Sequence, residues 1–241
     1  GGTGGAQGTL TMEAGTLTAN SVVLADRQDS STGTVAGAIN LSGGAFAAES
    51  VTKGIGTANF NWTGGALHVE TFGFDLVQNN TDGLSVLAPG RSLDMTTIQG
   101  NYSLLGGQIE IELNSPLDQG DQNPDDEIGY DFVHVEGDAL LNGQLNILLA
   151  DGYEPEMRDS FDVLQVDGEW SGTLLDDPYG NLTGDPLGAY AWWDVQLLDM
   201  PGGGHVFRLT VIPEPNSLVL ALLGLLVSGC LTCRRPYGVH R

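Results

Sequence analysis

The residues best equipped for chemistry in this chain are carboxylates. Aspartate and glutamate number 31 against 8 lysines and arginines, giving a formal net charge of −23. Their densest run lies between Asn114 and Tyr130 and includes Asp118, Asp121, Asp125, Asp126 and Glu127, with the amide of Asn123 among them and Asp131 just beyond it. Oxygen ligands of this kind suit Ca²⁺, which takes about 6–8 of them. Counted from Asp121, however, an EF-hand would need Gly where Asp126 stands and Glu where Phe132 stands. With Pro116 and Pro124 nearby, the segment reads as a solvated acidic loop. A Ca²⁺ site at Asp118, Asp121, Asp125, Asp126 and Glu127 is the lesser reading. Glu110 and Glu112 have the period-two spacing that puts both on one face of a strand. Glycoside chemistry needs two carboxylates about 5–10 Å apart across a cleft, so a charged outer face is the favoured reading, and no enzyme is expected.

The remaining reactive groups are sparse. Cys230 and Cys233 have the spacing of a redox or zinc half-site, but there is no second pair. Beside an apolar stretch they read as small packing residues, with acylation a minor option. His68, His134, His205 and His240 stand in no His-x-x-x-His or Gly-x-Ser-x-Gly context and read as surface histidines. Tyr190, Trp192 and Trp193 present ring faces of the kind that pack on sugars. Adjacent strand residues face opposite ways, so one tryptophan belongs in the core. No cofactor is expected. Residues 118–212 carry 20 acids against 2 bases. Such a body repels phosphate backbones and excludes nucleic acid as a partner, while divalent cations suit it.

The elements that must position these groups follow from glycine and periodicity. Thirty-six glycines disfavour helices and suit a chain of short strands and frequent turns. Three segments repeat one pattern. Leu10-x-Met12-x-x-Gly15-x-Leu17-x-Ala19-x-x-Val22 aligns with Ile39-x-Leu41-x-x-Gly44-x-Phe46-x-Ala48-x-x-Val51, and then with Phe60-x-Trp62-x-x-Gly65-x-Leu67-x-Val69-x-x-Phe72. Alternating apolar positions predict two strands per copy, with the glycine bending the chain between them. One copy cannot bury its apolar face, but stacked copies can.

The pattern continues more loosely through Leu84-Ser-Val86-Leu-Ala-Pro89-Gly90, Leu93-Asp-Met95, Tyr102-Ser-Leu104 and Ile109-Glu-Ile111-Glu-Leu113. After the acidic loop come Phe132-Val-His-Val135 and Leu141-Asn-Gly143-Gln-Leu145-Asn-Ile147, making about six units. The fold class is all-β, and a right-handed parallel β-helix or β-solenoid is the preferred architecture. An antiparallel β-sandwich is the alternative, because alternation does not reveal which strands pair. Ala191–Leu197 and His205–Val211 predict a β-hairpin around Pro201-Gly202-Gly203-Gly204, acting as a cap. The organisation is thus repeats over 1–113, acidic loop over 114–130, last units and cap over 131–212, and a distinct tail over 213–241.

In the tail no residue from Pro215 to Cys233 is charged, a run of 19. As a helix it would span about 28 Å, close to the roughly 30 Å of a bilayer core. Arg234 and Arg235 follow at once, which predicts a transmembrane helix with its C-terminus on the cytoplasmic side. Pro213-Glu214-Pro215 precedes it and is expected to resist helix and sheet alike. The start, Gly1-Gly2-Thr3, has neither Met nor apolar leader and reads as a processed or truncated beginning.

Pro213-Glu214-Pro215, an aliphatic stretch and then Arg234-Arg235 together resemble the PEP-CTERM sorting signal of Gram-negative-type bacteria. The likeness covers the segment 213–241; Cys230, Cys233 and the extension from Pro236 to Arg241 depart from the usual pattern. It implies export, recognition at Pro213-Glu214-Pro215 by an exosortase-type enzyme in the inner membrane, anchoring stopped by Arg234 and Arg235, and association with extracellular polysaccharide. The body, through Leu87-Ala-Pro-Gly90 and Phe132-Val-His-Val-Glu-Gly137, resembles autotransporter-like β-helical passenger regions. That likeness implies a structural or adhesin-like role at the cell surface. A polysaccharide lyase or hydrolase on the same scaffold, or a Ca²⁺-stabilised carbohydrate-binding module, are the alternatives.

Overall fold

Alternating apolar residues give each repeat two strands, and the corner glycine turns the chain from one to the next. The computed structural model describes residues 5–27, 33–90, 93–116, 129–176, 181–187 and 191–213. The described chain is all-β. One sheet holds seven strands in the order β1 (Ala6–Met12), β3 (Val35–Leu41), β5 (Thr57–Trp62), β7 (Leu76–Gln78), β10 (Tyr102–Leu104), β13 (Ala139–Leu141) and β16 (Trp170–Gly172). A second sheet begins with β2 (Thr16–Leu24), β4 (Ala45–Lys53) and β6 (Gly65–Phe72), and then divides. One branch continues through β8 (Ser85–Pro89), β11 (Gln108–Leu113), β14 (Gln144–Leu149) and β17 (Leu182–Gly184). The other continues through β9 (Met95–Ile98), β12 (Phe132–Val135), β15 (Ser160–Val166), β19 (His205–Pro213) and β18 (Ala191–Asp199).

The repeat alignment is the pairing register. Leu10 pairs with Ile39 and Ile39 with Phe60; Met12 pairs with Leu41 and Leu41 with Trp62. In the second sheet Leu17, Phe46 and Leu67 stack in turn, and so do Val22, Val51 and Phe72. The body ladders run parallel, so an antiparallel sandwich does not describe it. Antiparallel pairing joins β19 to β15 and β18 to β19, the latter from Ala191↔Pro213 to Asp199↔His205, as the hairpin pattern predicted.

The division of the second sheet has a simple cause. Leu87 stacks on Leu67 and Ile98 on Phe72. The chain from Leu87 to Ile98 is longer than the chain from Leu67 to Phe72 beneath it, so its surplus leaves the ladder between the two contacts. Later levels leave at the same place. Leu113 stacks on Leu149 at one side of the break, and Val133 on Leu164 at the other. The chain therefore leaves the ladder after Leu113 and after Leu149 on the same side of the break as it does after Pro89.

Between the sheets lies a continuous apolar core. Phe46 meets Phe60 edge-on at 6.1 Å, Phe60 meets Phe72 at 5.2 Å, and Phe72 meets Phe74 at 4.5 Å. The corner glycines make this spacing achievable. Gly15, Gly44, Gly65 and Gly107 all have φ between 79° and 85°, a region that L side chains avoid. A Cβ on Gly44 would lie 2.4 Å from the Gly15 carbonyl oxygen, so each corner nests on the one before.

Two polar devices lock the middle levels. Gln78 is fully buried and donates from Nε2 to the carbonyls of Ser85 and Gln108, both at 2.9 Å, while the Tyr102 hydroxyl donates to its Oε1. Both polar atoms of that amide side chain thus have named protein partners, as a buried amide requires. A column of acceptors runs up a different corner. Asp75 accepts the Asn101 N–H, Asn101 the Asp138 N–H, and Asp138 the Glu169 N–H, at 2.8–2.9 Å. Each side chain satisfies the backbone of the next level, where no strand ladder does.

The alternation misleads at Leu84-Ser-Val86. Leu84 is exposed, and Ser85 and Leu87 turn inward instead. Ser85 stacks on the corner Gly65 and its carbonyl serves Gln78, which fixes the phase.

Candidate functional site

A notch interrupts the seven-stranded sheet. β5 has six residues and β7 only three, and the two pair only at Trp62↔Gln78. Among the described residues no strand flanks Thr57–Phe60 on that side. The Thr63 N–H donates to Leu41 on the β3 side, whereas the Trp62 carbonyl accepts from Asn79 on the β7 side. By alternation along a strand, Ala58 and Phe60 aim their backbone groups into the notch.

The depression has a volume of about 500 Å³, with Lys53, Asn59, Phe60, Asn61, Phe74 and Val77 in its lining. Asn59, Asn61 and Val77 are outward-facing and exposed, while Phe60 and Phe74 form the floor. Lys53, the sole lysine in the sequence, places Nζ 5.6 Å from the Phe74 ring centroid. This cation–π contact holds the ammonium at the rim. Asp75 and Asn79 complete the lining, so the local charge is near balance on an otherwise acidic protein.

The acidic loop closes at its neck. Asn114 and Ser115 both donate to the Gly129 carbonyl, and Leu113 bridges Tyr130. Asp131 does not join the loop as an oxygen ligand. It turns inward, 4% exposed, and accepts the N–H groups of Asp94 and Glu112 at 2.9 Å. Burial pushes its carboxyl up to about 7, against the pull of those two hydrogen bonds. Asp118, Asp121, Asp125, Asp126 and Glu127 lie outside the described residues. Among the described residues no group of three or more His, Cys, Asp or Glu side chains is gathered to hold a metal ion.

Glu110 and Glu112 both lie on the outer face of β11, and Glu110 accepts from Asn146 one level on at 3.1 Å. His134 is likewise outward and contacts Asp167 at 2.9 Å, with Gln165 donating to the same carboxylate at 2.8 Å. Partial burial pushes Asp167 up, but the hydrogen bonds from Gln165 and His134 prevail and hold its carboxyl below the usual range. The Glu110–Asn146 and His134–Asp167 contacts join neighbouring levels, and Gln165 and Asp167 lie two residues apart on one segment. His205 pairs with Asp199 across the hairpin at 3.0 Å, and His68 is half-buried. Of the two tryptophans, Trp193 is buried and Trp192 is 43% exposed, as strand alternation requires. Tyr190 lies outside the described residues.

Pro213 corrects one expectation. It does not stand clear of the sheet but ends β19, paired opposite Ala191. A proline is tolerated at a strand terminus, where one missing N–H costs little. Glu214, Pro215, Arg234, Arg235, both cysteines, His240 and the expected membrane helix lie outside the described residues. Among the described residues no helix is long and apolar enough to cross a membrane.

Two features escaped the sequence reading. The notch had one signal in the length of chain between successive stacked positions. The return from Trp62 to Gln78 is shorter than the steps from Met12 to Leu41 and from Leu41 to Trp62 before it. The acceptor column had another, in Gly100-Asn101, Gly137-Asp138 and Gly168-Glu169. A Cβ on Gly137 would lie 2.5 Å from the Asn101 Oδ1, and one on Gly168 would lie 2.3 Å from the Asp138 Oδ1. No protein-family model matches the chain, and no curated protein is similar to it.

Proposed function

We propose that this chain is an exported, surface-associated protein with a structural or adhesin-like role. In this reading the body is a right-handed parallel β-helix closed by the β18–β19 hairpin. The segment 213–241 is a PEP-CTERM-like sorting and anchoring tail, recognised at Pro213-Glu214-Pro215 and stopped in the membrane by Arg234 and Arg235. The observation that supports it best is the identity between the repeat alignment and the ladder register. A chain whose every level stacks on the previous one is suited to extending a stiff surface, and its outward side chains are free to vary. Fold likeness alone does not establish a role.

The test is expression of the full chain, behind an export leader, in hosts with and without an exosortase. The expected result is a trimmed product at the surface in the first and an untrimmed, membrane-held product in the second. Equal size and location in both hosts would refute the sorting half. Free cytosolic protein in both would refute the whole reading.

A further inference from the structure

From the geometry of the notch we infer that the gap between β5 and β7 is a binding site for a short segment of a neutral oligosaccharide. The inference rests on the surface role proposed above and gives it a ligand class.

The notch presents three kinds of group together. Asn59, Asn61 and Asn79 offer amides that both donate and accept. Asn61 donates to the Asn40 Oδ1 at 2.7 Å, which orients its amide. Ala58 and Phe60 add backbone N–H and C=O groups with no described strand opposite them. Phe60 and Phe74, each 9% exposed, give the floor only a small apolar patch, on which part of a sugar C–H face can rest. Vicinal hydroxyls, each both donor and acceptor, match such a mixed lining. At about 500 Å³ the depression falls within the roughly 300–1,000 Å³ of small-molecule sites.

Charge narrows the class. The protein carries a net −23, so a polyanionic chain is repelled before it arrives. The lining of the notch holds one cation, Lys53, and one carboxylate, Asp75, whose Oδ1 is already engaged by the Asn101 N–H. A neutral ligand uses both as hydrogen-bonding groups and strands neither. An extended peptide fits less well, because only Thr57–Phe60 of β5 is open before the edge is closed at Trp62.

The experiment is isothermal titration of the purified full chain with neutral tetrasaccharides: β-1,4-glucan, β-1,3-glucan, β-1,4-linked N-acetylglucosamine and α-mannan. A uronic-acid tetrasaccharide and an extended uncharged hexapeptide serve as counter-probes. The variants are Asn59→Ala, which removes an exposed amide, and Val77→Trp, which fills the notch from an exposed position. Retained far-ultraviolet dichroism and melting temperature establish that both fold. We expect at least one neutral glycan to bind, tenfold or more weaker binding in Asn59→Ala, and none in Val77→Trp. Absence of neutral glycan binding at millimolar concentrations overturns the inference, as does binding that both folded variants retain. Preference for the uronic acid, or binding of the peptide alone, overturns it equally. Such a failure leaves the sorting experiment unaffected, so the two readings fail separately.

Discussion

Substituting alanine at Gly44 separates two reasons for the corner glycines. The first is backbone conformation. Gly15, Gly44 and Gly152 have φ of 84°, 79° and 77°, and a Cβ in that region costs roughly 1–2 kcal/mol. The second is close approach. A Cβ on Gly44 would meet the Gly15 carbonyl oxygen at 2.4 Å and the Ala14 carbonyl carbon at 2.8 Å, whereas Cβ atoms on Gly15 and Gly152 would meet nothing within 4 Å. The obstructing atoms are backbone in a paired ladder, so relief requires the levels to separate. Overpacking of this kind adds roughly 1–3 kcal/mol. Gly15→Ala and Gly152→Ala should therefore each lose about 1–2 kcal/mol, and Gly44→Ala about 2–5 kcal/mol. The assay is urea unfolding followed by fluorescence of buried Trp62, whose Nε1 donates to Gly65 at the adjoining corner. Gly152, in an exposed turn far from the start of the stack, is a second control, since Gly15 lies in the first described level and its neighbourhood could fray separately. Equal losses at all three positions would refute the nesting argument and leave only the conformational one.

Other outcomes follow from the polar devices. Asp131 has a folded-state value of about 7 against an ordinary 3.8, so the native state holds its proton more tightly. That contribution is complete below about pH 3.8 and is lost as the pH rises through about 7, by about 4 kcal/mol. Asp131→Asn should flatten this part of the stability profile between pH 4 and 8. Parallel profiles in the two proteins would show instead that the Asp94 and Glu112 N–H bonds hold the carboxylate ionised. Gln78→Leu removes one hydrogen bond from each of the Ser85 and Gln108 carbonyls and takes away the acceptor of the buried Tyr102 hydroxyl, and chemical denaturation should show a loss of about 1–3 kcal/mol. Adding Tyr102→Phe to it should cost less than the sum of the two single changes, measured as a double-mutant cycle. Arg208→Met removes a two-point contact with Asp162. Both side chains are about a third exposed, so the melting curve should register no more than about 1 kcal/mol.

What could be read from the sequence was whatever repeats at every level. The Met12, Leu41 and Trp62 positions announce the stack because each meets the same environment, an apolar interior between two sheets. The β18–β19 hairpin was equally legible, since Pro201-Gly202-Gly203-Gly204 leaves few other courses for two alternating segments. The notch was not, because it arises from a difference between neighbouring levels: β7 is shorter than β5, and a pattern search rewards sameness. Ser85 reversed an apparent alternation because its inward place is set by the Gln78 amide, a partner from the preceding strand that carries no hydrophobic signal. The acceptor column of Asp75, Asn101 and Asp138 serves backbone N–H groups one whole level further along the chain, a relation that becomes visible only once the levels are stacked.

The place where the second sheet divides has a further consequence. Successive levels shed their surplus residues at one position, so chain length there is uncoupled from the geometry on either side. Material added after Pro89, within the acidic stretch or between Ala150 and Asp159 would hang outside the ladder without shifting its register. The protein thus carries a built-in row of grafting points along one flank, where foreign peptides can be displayed side by side at the spacing of the strands themselves, about 4.8 Å per level.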